Sequence, residues 1–85
     1  MFNGRTILIT GAASGLGRAW AEGFSADGAT VVAADIDGEG LKKVPARFHL
    51  TVDVSDSNQV EQMILDSIEQ TGRIDVLFNN AGVGF

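Results

Sequence analysis

The stretch that decides the fold is Thr6-Ile7-Leu8-Ile9-Thr10-Gly11-Ala12-Ala13-Ser14-Gly15-Leu16-Gly17. Its first five residues are apolar or β-branched with no alternating polar face, the pattern of a short strand buried on both sides in a parallel sheet. Gly11 closes that run. Beyond it Leu16, Ala19, Trp20, Gly23 and Phe24 recur at the spacing of an amphipathic helix that ends near Asp27-Gly28. A glycine-rich turn between a strand and a helix is the setting of a dinucleotide-binding turn. Gly11 permits the tight turn, Gly15 lets the backbone approach a pyrophosphate, and Gly17 lets the helix pack closely on the strands. The N–H groups at the helix start have no intrahelical partner and would face the phosphates. The plainer alternative is that three glycines only turn the chain from strand to helix. A nucleoside-triphosphate loop is disfavoured, because no Lys-Ser or Lys-Thr pair follows the glycines.

Working outward, Thr30 to Asp35 reads as a second buried strand with a carboxylate at its C-terminal edge, and Asp37-Gly38 turns the chain. A short helix over Glu39 to Val44 is stopped by Pro45, and Phe48 to Val54 forms a third strand. Ser55 is the expected cap of the next helix, with Asp56 in its first turn. Val60, Met63, Ile64 and Ile68 form the buried stripe of that helix, and Thr71-Gly72 ends it. Ile74 to Phe78 supplies a fourth strand, followed by Asn79-Asn80-Ala81-Gly82. Strands alternating with helices imply an α/β fold of Rossmann type, a doubly wound parallel sheet with right-handed crossovers and strand order 3-2-1-4. Ligands of such sheets bind beyond the C-terminal strand ends where the order reverses, which is where Gly11 to Gly17 and Asn79 to Gly82 both emerge.

Composition narrows the partners. With 85 residues, 45% hydrophobic and 20% charged, the chain fits a single unit of modest core. The net charge is −5 and the few cations are scattered apart from Lys42-Lys43, which argues against a nucleic-acid surface. Any phosphate recognition must therefore come from backbone N–H groups and a helix dipole. There is no cysteine, so disulfides and thiolate metal sites are excluded. The apolar run Ile7 to Ile9 is far short of a signal core or of the roughly 20 residues that span a membrane. A cytoplasmic protein with no membrane partner is expected. His49 has no companion that suggests a metal site or a catalytic dyad, and Trp20 and Phe24 read as packing.

Asp35 lies where a carboxylate can accept hydrogen bonds from both hydroxyls of an adenosine ribose and repel a 2′-phosphate. Neither Ser14 nor Ile36 supplies a positive charge that would neutralise such a phosphate, so NAD is favoured over NADP. Arg18 is the nearby cation that opposes this reading. Asp35 also has the simpler reading of a solvated turn residue.

Taken together, these residues resemble the start of a short-chain dehydrogenase/reductase of the subfamily whose turn reads TGxxxGxG. Thr10 to Gly17 match that motif position by position, and Asp53-Val54 and Asn79-Asn80-Ala81-Gly82 follow in the family's order and spacing. The resemblance implies the first four strands of a normally seven-stranded sheet. It implies that Asp53 contacts the adenine amino group with the Val54 backbone beside it, that Asn80 lies near a cofactor ribose, and that Asn79 ties the central strands together. It also implies that Ala81 and Gly82 give the cofactor backbone clearance. Read without the family, Asp53 is an ordinary acid before a helix and Asn79-Asn80 a turn.

The resemblance further implies an NAD-dependent oxidoreductase that transfers hydride to or from an alcohol or carbonyl substrate, as a homo-oligomer. Its chemistry uses a tyrosine as general acid/base, a lysine four residues later and a serine. The chain contains no tyrosine. Residues 1–85 are thus expected to be the N-terminal, cofactor-binding part of one Rossmann domain, truncated after strand four and without catalytic residues of its own. A non-catalytic dinucleotide-binding module and an inert fragment are the alternatives.

Overall fold

The computed structural model describes residues 2–81. Four strands, β1 (Thr6–Thr10), β2 (Thr30–Asp35), β3 (Phe48–Thr51) and β4 (Val76–Asn79), form one parallel sheet in the order β3-β2-β1-β4. Three helices connect them: α1 (Gly15–Ala26), α2 (Gly38–Leu41) and α3 (Ser57–Thr71). The order expected from right-handed crossovers is the order observed.

The two central strands explain why their sequences lack alternation. Ile7, Ile9, Val31 and Ala33 point to the side carrying α1 and α2, where they pack with Ala21, Leu41 and Val44. Leu8, Val32 and Ala34 point to the other side and meet Met63 of α3 and Val52. Both faces of β1 and β2 are therefore covered, and Ile7, Leu8 and Ile9 are wholly buried. The outer strands β3 and β4 instead alternate between half-buried and exposed residues.

Several elements differ from the sequence expectation, each for a local reason. In α1 the buried positions are Gly17 and Ala21, while Leu16 is exposed and stands over the strand ends. The glycine lets α1 dock by its backbone, which rotates the packed seam one residue past Leu16. Trp20 and Phe24 are half-buried against Phe78, with ring centroids 4.7 and 5.5 Å away. The helix expected over Glu39 to Val44 is a single α-turn capped by Asp37, whose carboxylate accepts from the Gly40 N–H at 3.0 Å. Two tighter bonds, Lys43 N–H to the Gly40 carbonyl and Val44 N–H to the Leu41 carbonyl, complete the segment.

Strand β3 stops at Thr51 rather than Val54, because Asp53 turns the chain by accepting from Ser55. The cap of α3 is accordingly Asp56, not Ser55. Its Oδ1 accepts from the Asn58 and Gln59 N–H groups at 3.0 and 3.4 Å, satisfying donors at the positive end of the helix. Within α3, Ile68 is exposed, and the buried seam runs through Met63 to Ser67. Ser67 tolerates burial because its hydroxyl donates back to the Met63 carbonyl at 2.7 Å. Gly72 ends the helix in the left-handed conformation at φ 89°. Strand β4 begins at Val76 instead of Ile74, since Asp75 is used as a clasp. Its Oδ2 accepts from the Thr6 N–H at 2.7 Å and from Arg73 Nε at 3.0 Å.

Candidate functional site

The C-terminal ends of all four strands open onto one cleft of about 730 Å³. Its floor begins at the turn after β1. Gly11 and Gly15 both have positive φ, 66° and 57°, so the chain reverses there without side-chain strain. Between them the Ala12 N–H donates to the Ala34 carbonyl at 3.1 Å, and the Ala13 N–H donates to Asp35 Oδ2 at 3.0 Å. The turn is thus pinned to the end of β2. Ser14 is the N-cap of α1, yet its side chain makes no capping bond. No acidic residue occupies the first turn of α1, so the helix presents uncompensated N–H groups and the positive end of its dipole to the cleft.

Gly17 does not line the cleft; it sets how close α1 comes to the turn. A Cβ built on it would collide with the Gly11 carbonyl oxygen and lie 2.9 Å from Asn80 Nδ2. Gly11, Ser14, Gly15 and Leu16 do line it, joined from β2 by Asp35, from the segment after β3 by Asp53 and Val54, and from the end of β4 by Asn80 and Ala81. Every sequence-predicted site residue within the described part of the chain is therefore either on the cleft wall or, as Gly17, directly behind it. Gly82 lies outside the described residues.

Two carboxylates and one amide are held in place by hydrogen bonds to the turn and loops around them. Asp35 Oδ1 accepts from the Asp37 N–H at 2.9 Å, so both of its oxygens are oriented. Asp53 Oδ1 accepts from the Ser55 hydroxyl at 2.6 Å and the Ser55 N–H at 3.0 Å. Those two bonds, the hydroxyl first, hold the Asp53 carboxyl below its ordinary value, and it remains ionised at neutral pH. Asn80 Nδ2 donates to the Gly11 carbonyl at 3.4 Å, which joins the β4 end to the glycine turn.

Sequence reasoning missed the hub of this arrangement. Thr10 is almost fully buried at the end of β1. Its hydroxyl donates to Asn79 Oδ1 at 3.1 Å and accepts from the N–H groups of Asn80 and Ala81 at 3.0 and 3.1 Å. The available signal was a hydroxyl residue closing an otherwise apolar buried strand, a place that requires polar partners. Ile36, Val52 and Ser55 were also missed as cleft walls. Ile36 is 65% exposed, an apolar side chain in solvent beside the Asp35 carboxylate. His49 stands apart from the cleft, with a ring nitrogen 2.7 Å from the Val44 carbonyl. Among the described residues no group of three or more His, Cys, Asp or Glu side chains is placed to hold a metal ion.

The family model described as short chain dehydrogenase matches residues 5–85. The chain belongs to this family. Meso-2,3-butanediol dehydrogenase of Serratia marcescens is 47% identical over 88 aligned positions, which cover 96% of this chain and 35% of that protein. Levodione reductase of Leifsonia aquatica is 42% identical over 96% of this chain and 34% of its own length. Among solved structures, a short-chain dehydrogenase/reductase from Burkholderia phymatum in complex with NAD superposes with a TM-score of 0.91 at 38% identity, covering 98% of this chain and 32% of that one. An NAD+-bound xylitol dehydrogenase gives a TM-score of 0.88 at 30% identity over 94% of this chain and 34% of that one. The chain spans about a third of the length of the curated relatives it matches. Family membership accounts for the shared sheet order and for the concentration of glycines and carboxylates at one end of it. Among the described residues no helix is long and apolar enough to cross a membrane.

Proposed function

We propose that the cleft binds NAD and that residues 1–85 are the cofactor-binding part of an NAD-dependent oxidoreductase. The observation that carries this reading is convergence. The glycine turn, two oriented carboxylates and the Asn80 amide come from four separate strand ends to one cleft wall. In this reading the pyrophosphate lies on the N–H groups of Ser14 to Gly17, and the dipole of α1 replaces the basic side chains that the turn lacks. The Asp35 carboxylate accepts from the adenosine ribose hydroxyls. Asp53 accepts from the adenine amino group, while Val54 and Ile36 offer apolar surface to the base. Asn80 and Ala81 border the path toward the nicotinamide ribose.

NAD rather than NADP follows from charge. A 2′-phosphate beside Asp35 would meet a carboxylate, with no cation at Ser14 or Ile36 to offset it. Arg18 is directed elsewhere, its Nε lying 3.3 Å from Glu22 Oε2 one helical turn along α1. The NAD in the Burkholderia phymatum complex and in xylitol dehydrogenase supports the choice by relationship.

Hydride transfer to or from an alcohol or carbonyl is proposed for a polypeptide spanning the full family length. The nicotinamide supplies that chemistry and the protein positions it. The alcohol and carbonyl substrates in the names of the relatives support the class, and the family's tyrosine and lysine would belong to the part of the fold these residues do not span. Such a protein is proposed to work as a homo-oligomer in the cytoplasm, with no nucleic-acid or membrane partner.

Titration calorimetry of the folded chain with NAD and with NADP tests the binding reading. Heat of binding with NAD, and at least tenfold weaker binding of NADP, is expected. No heat at millimolar NAD would refute it. For the chemistry, a Tyr-x-x-x-Lys segment in the coding sequence beyond Phe85 is expected, and its absence would remove hydride transfer.

A further inference from the structure

The Asp35 carboxylate is engaged by the protein's own backbone. Oδ2 holds the Ala13 N–H at 3.0 Å and Oδ1 holds the Asp37 N–H at 2.9 Å, so one side chain bridges the glycine turn and the loop after β2. We propose that Asp35 is a positioning residue for the diphosphate as well as a reader of the ribose, acting as a latch that holds the glycine turn in its receiving shape. This rests on the reading of the cleft as a dinucleotide site.

The turn needs such a latch. Ala12, Ala13 and Ser14 lie between two glycines of positive φ, Gly11 and Gly15, which are the natural pivots for a peptide flip. The cap residue Ser14 does not restrain the segment, since its side chain makes no capping bond. The carbonyls at its two ends, Gly11 and Ser14, accept from Asn80 Nδ2 and the Arg18 N–H, and its middle is tethered by the Ala12 N–H on the Ala34 carbonyl and the Ala13 N–H on Asp35. Ala13 is buried, so without the carboxylate its N–H would be left without an acceptor unless the turn rotated. Rotation would re-aim the following N–H groups, the ones available to a diphosphate. The far side of the carboxylate is itself fixed, because Asp37 is held in turn by its bond to the Gly40 N–H at 3.0 Å.

Cofactor choice gains a second origin from this arrangement. A 2′-phosphate is opposed by the charge of Asp35, and any movement of Asp35 to make room for it releases Ala13 and loosens the diphosphate seat. Removing the carboxylate should then weaken binding even of a nucleotide that never touches it.

The probe is 2′,3′-dideoxyadenosine diphosphate, which keeps the adenine and the diphosphate and lacks both ribose hydroxyls. Asp35→Ala and Asp35→Asn remove the same charge, but asparagine keeps one oxygen that can accept from Ala13. If Asp35 only read the ribose, both variants would bind this probe at least as well as the wild type, since a negative charge has left the vicinity of a diphosphate. The latch predicts roughly tenfold weaker binding for Asp35→Ala, the effect of losing one hydrogen bond to a charged group, and a loss under about threefold for Asp35→Asn. It also predicts faster amide hydrogen exchange at Ala13 in Asp35→Ala, with exchange at Ile7 and Val31 unchanged as a control on the fold. Unchanged amide exchange at Ala13 in Asp35→Ala, or full probe affinity in that variant, overturns the latch. Failure of the wild type to bind either NAD or the dideoxy probe overturns the dinucleotide reading instead.

Discussion

Replacing Gly17 by alanine separates close packing from helix propensity at a single methyl group. The added Cβ would collide with the Gly11 carbonyl oxygen and lie 2.8 Å from the Gly11 carbonyl carbon and 2.9 Å from Asn80 Nδ2. Two of these are backbone atoms of a pinned turn, so they cannot swing aside as a side-chain tip would. Overpacking of this kind costs about 1–3 kcal/mol, and contact with backbone argues for the upper part of that range. Against it stands the gain of alanine over glycine within a helix, about 1 kcal/mol. The expected net loss is about 2 kcal/mol, and a unit of this size then loses roughly 8–16 °C in Tm. Gly23→Ala is the matched control, because it lies in the same helix and a Cβ there meets nothing within 4 Å. It should gain about 0.5–1 kcal/mol. Urea unfolding of both variants with calorimetric titration of NAD is the assay, and Gly17→Ala should weaken NAD binding while Gly23→Ala leaves it unchanged. Equal stabilisation of the two variants would refute the claim that Gly17 sets the approach of α1 to the turn.

Thr10→Val keeps the shape of the buried side chain and removes the hydroxyl, leaving the N–H groups of Asn80 and Ala81 without their acceptor. A loss of about 1–3 kcal/mol in urea unfolding is expected, with faster amide exchange at Asn80; unchanged exchange there would show that Thr10 does not hold the end of β4. Ser55→Ala removes the larger of the two causes that lower the Asp53 carboxyl, so its titration followed by carboxyl NMR should move up toward the ordinary 3.8, and an unmoved titration would be contrary to the geometry. The Asp75 carboxyl is held below that same value chiefly by the Thr6 N–H, assisted by Arg73 and Arg5. Because its folded value is depressed, its stabilisation is fully present above the unfolded value and is lost as the pH falls through the folded one. The stability gap between wild type and Asp75→Asn should accordingly be constant near neutrality and close below about pH 3.8, and a gap that widened in acid would contradict the sign.

The sheet was legible because its evidence is local and redundant. Ile7 to Ile9 and Val31 to Ala34 are apolar on both faces, which in a strand of this length means cover on both sides, and handedness then leaves one order for the four strands. The cleft was legible for a related reason: Asp35 ends a strand and Asp53 and Asn80 follow one, and parallel topology brings every such position to the same end. What escaped depended on the partner chosen at short range or the contact made at long range. Asp56 and Ser55 were both competent caps, and the competition was decided by Asp53, which takes the serine hydroxyl for itself. Leu16 fitted the apolar spacing, but the backbone contact made possible by Gly17 turned it outward. Ser67 joins the buried seam because its hydroxyl is satisfied by the Met63 carbonyl, a pairing that apolar spacing does not reveal. Thr10 meets its partners about 70 positions away, beyond the reach of any window of sequence.

That separation fixes the order in which the cleft can come into being. The bond from Ala13 to Asp35 joins residues 22 apart, while the one from Thr10 to Asn79 joins residues 69 apart. Closing the second loop costs more chain entropy than closing the first, and nothing offsets that cost until β4 is seated. During synthesis from the N-terminus, β1, the glycine turn and β2 can pair long before β4 has emerged. The diphosphate end of the cleft can therefore be shaped early by short loops, whereas the wall formed by Asn80 and Ala81 must wait for the central strand to acquire its second neighbour.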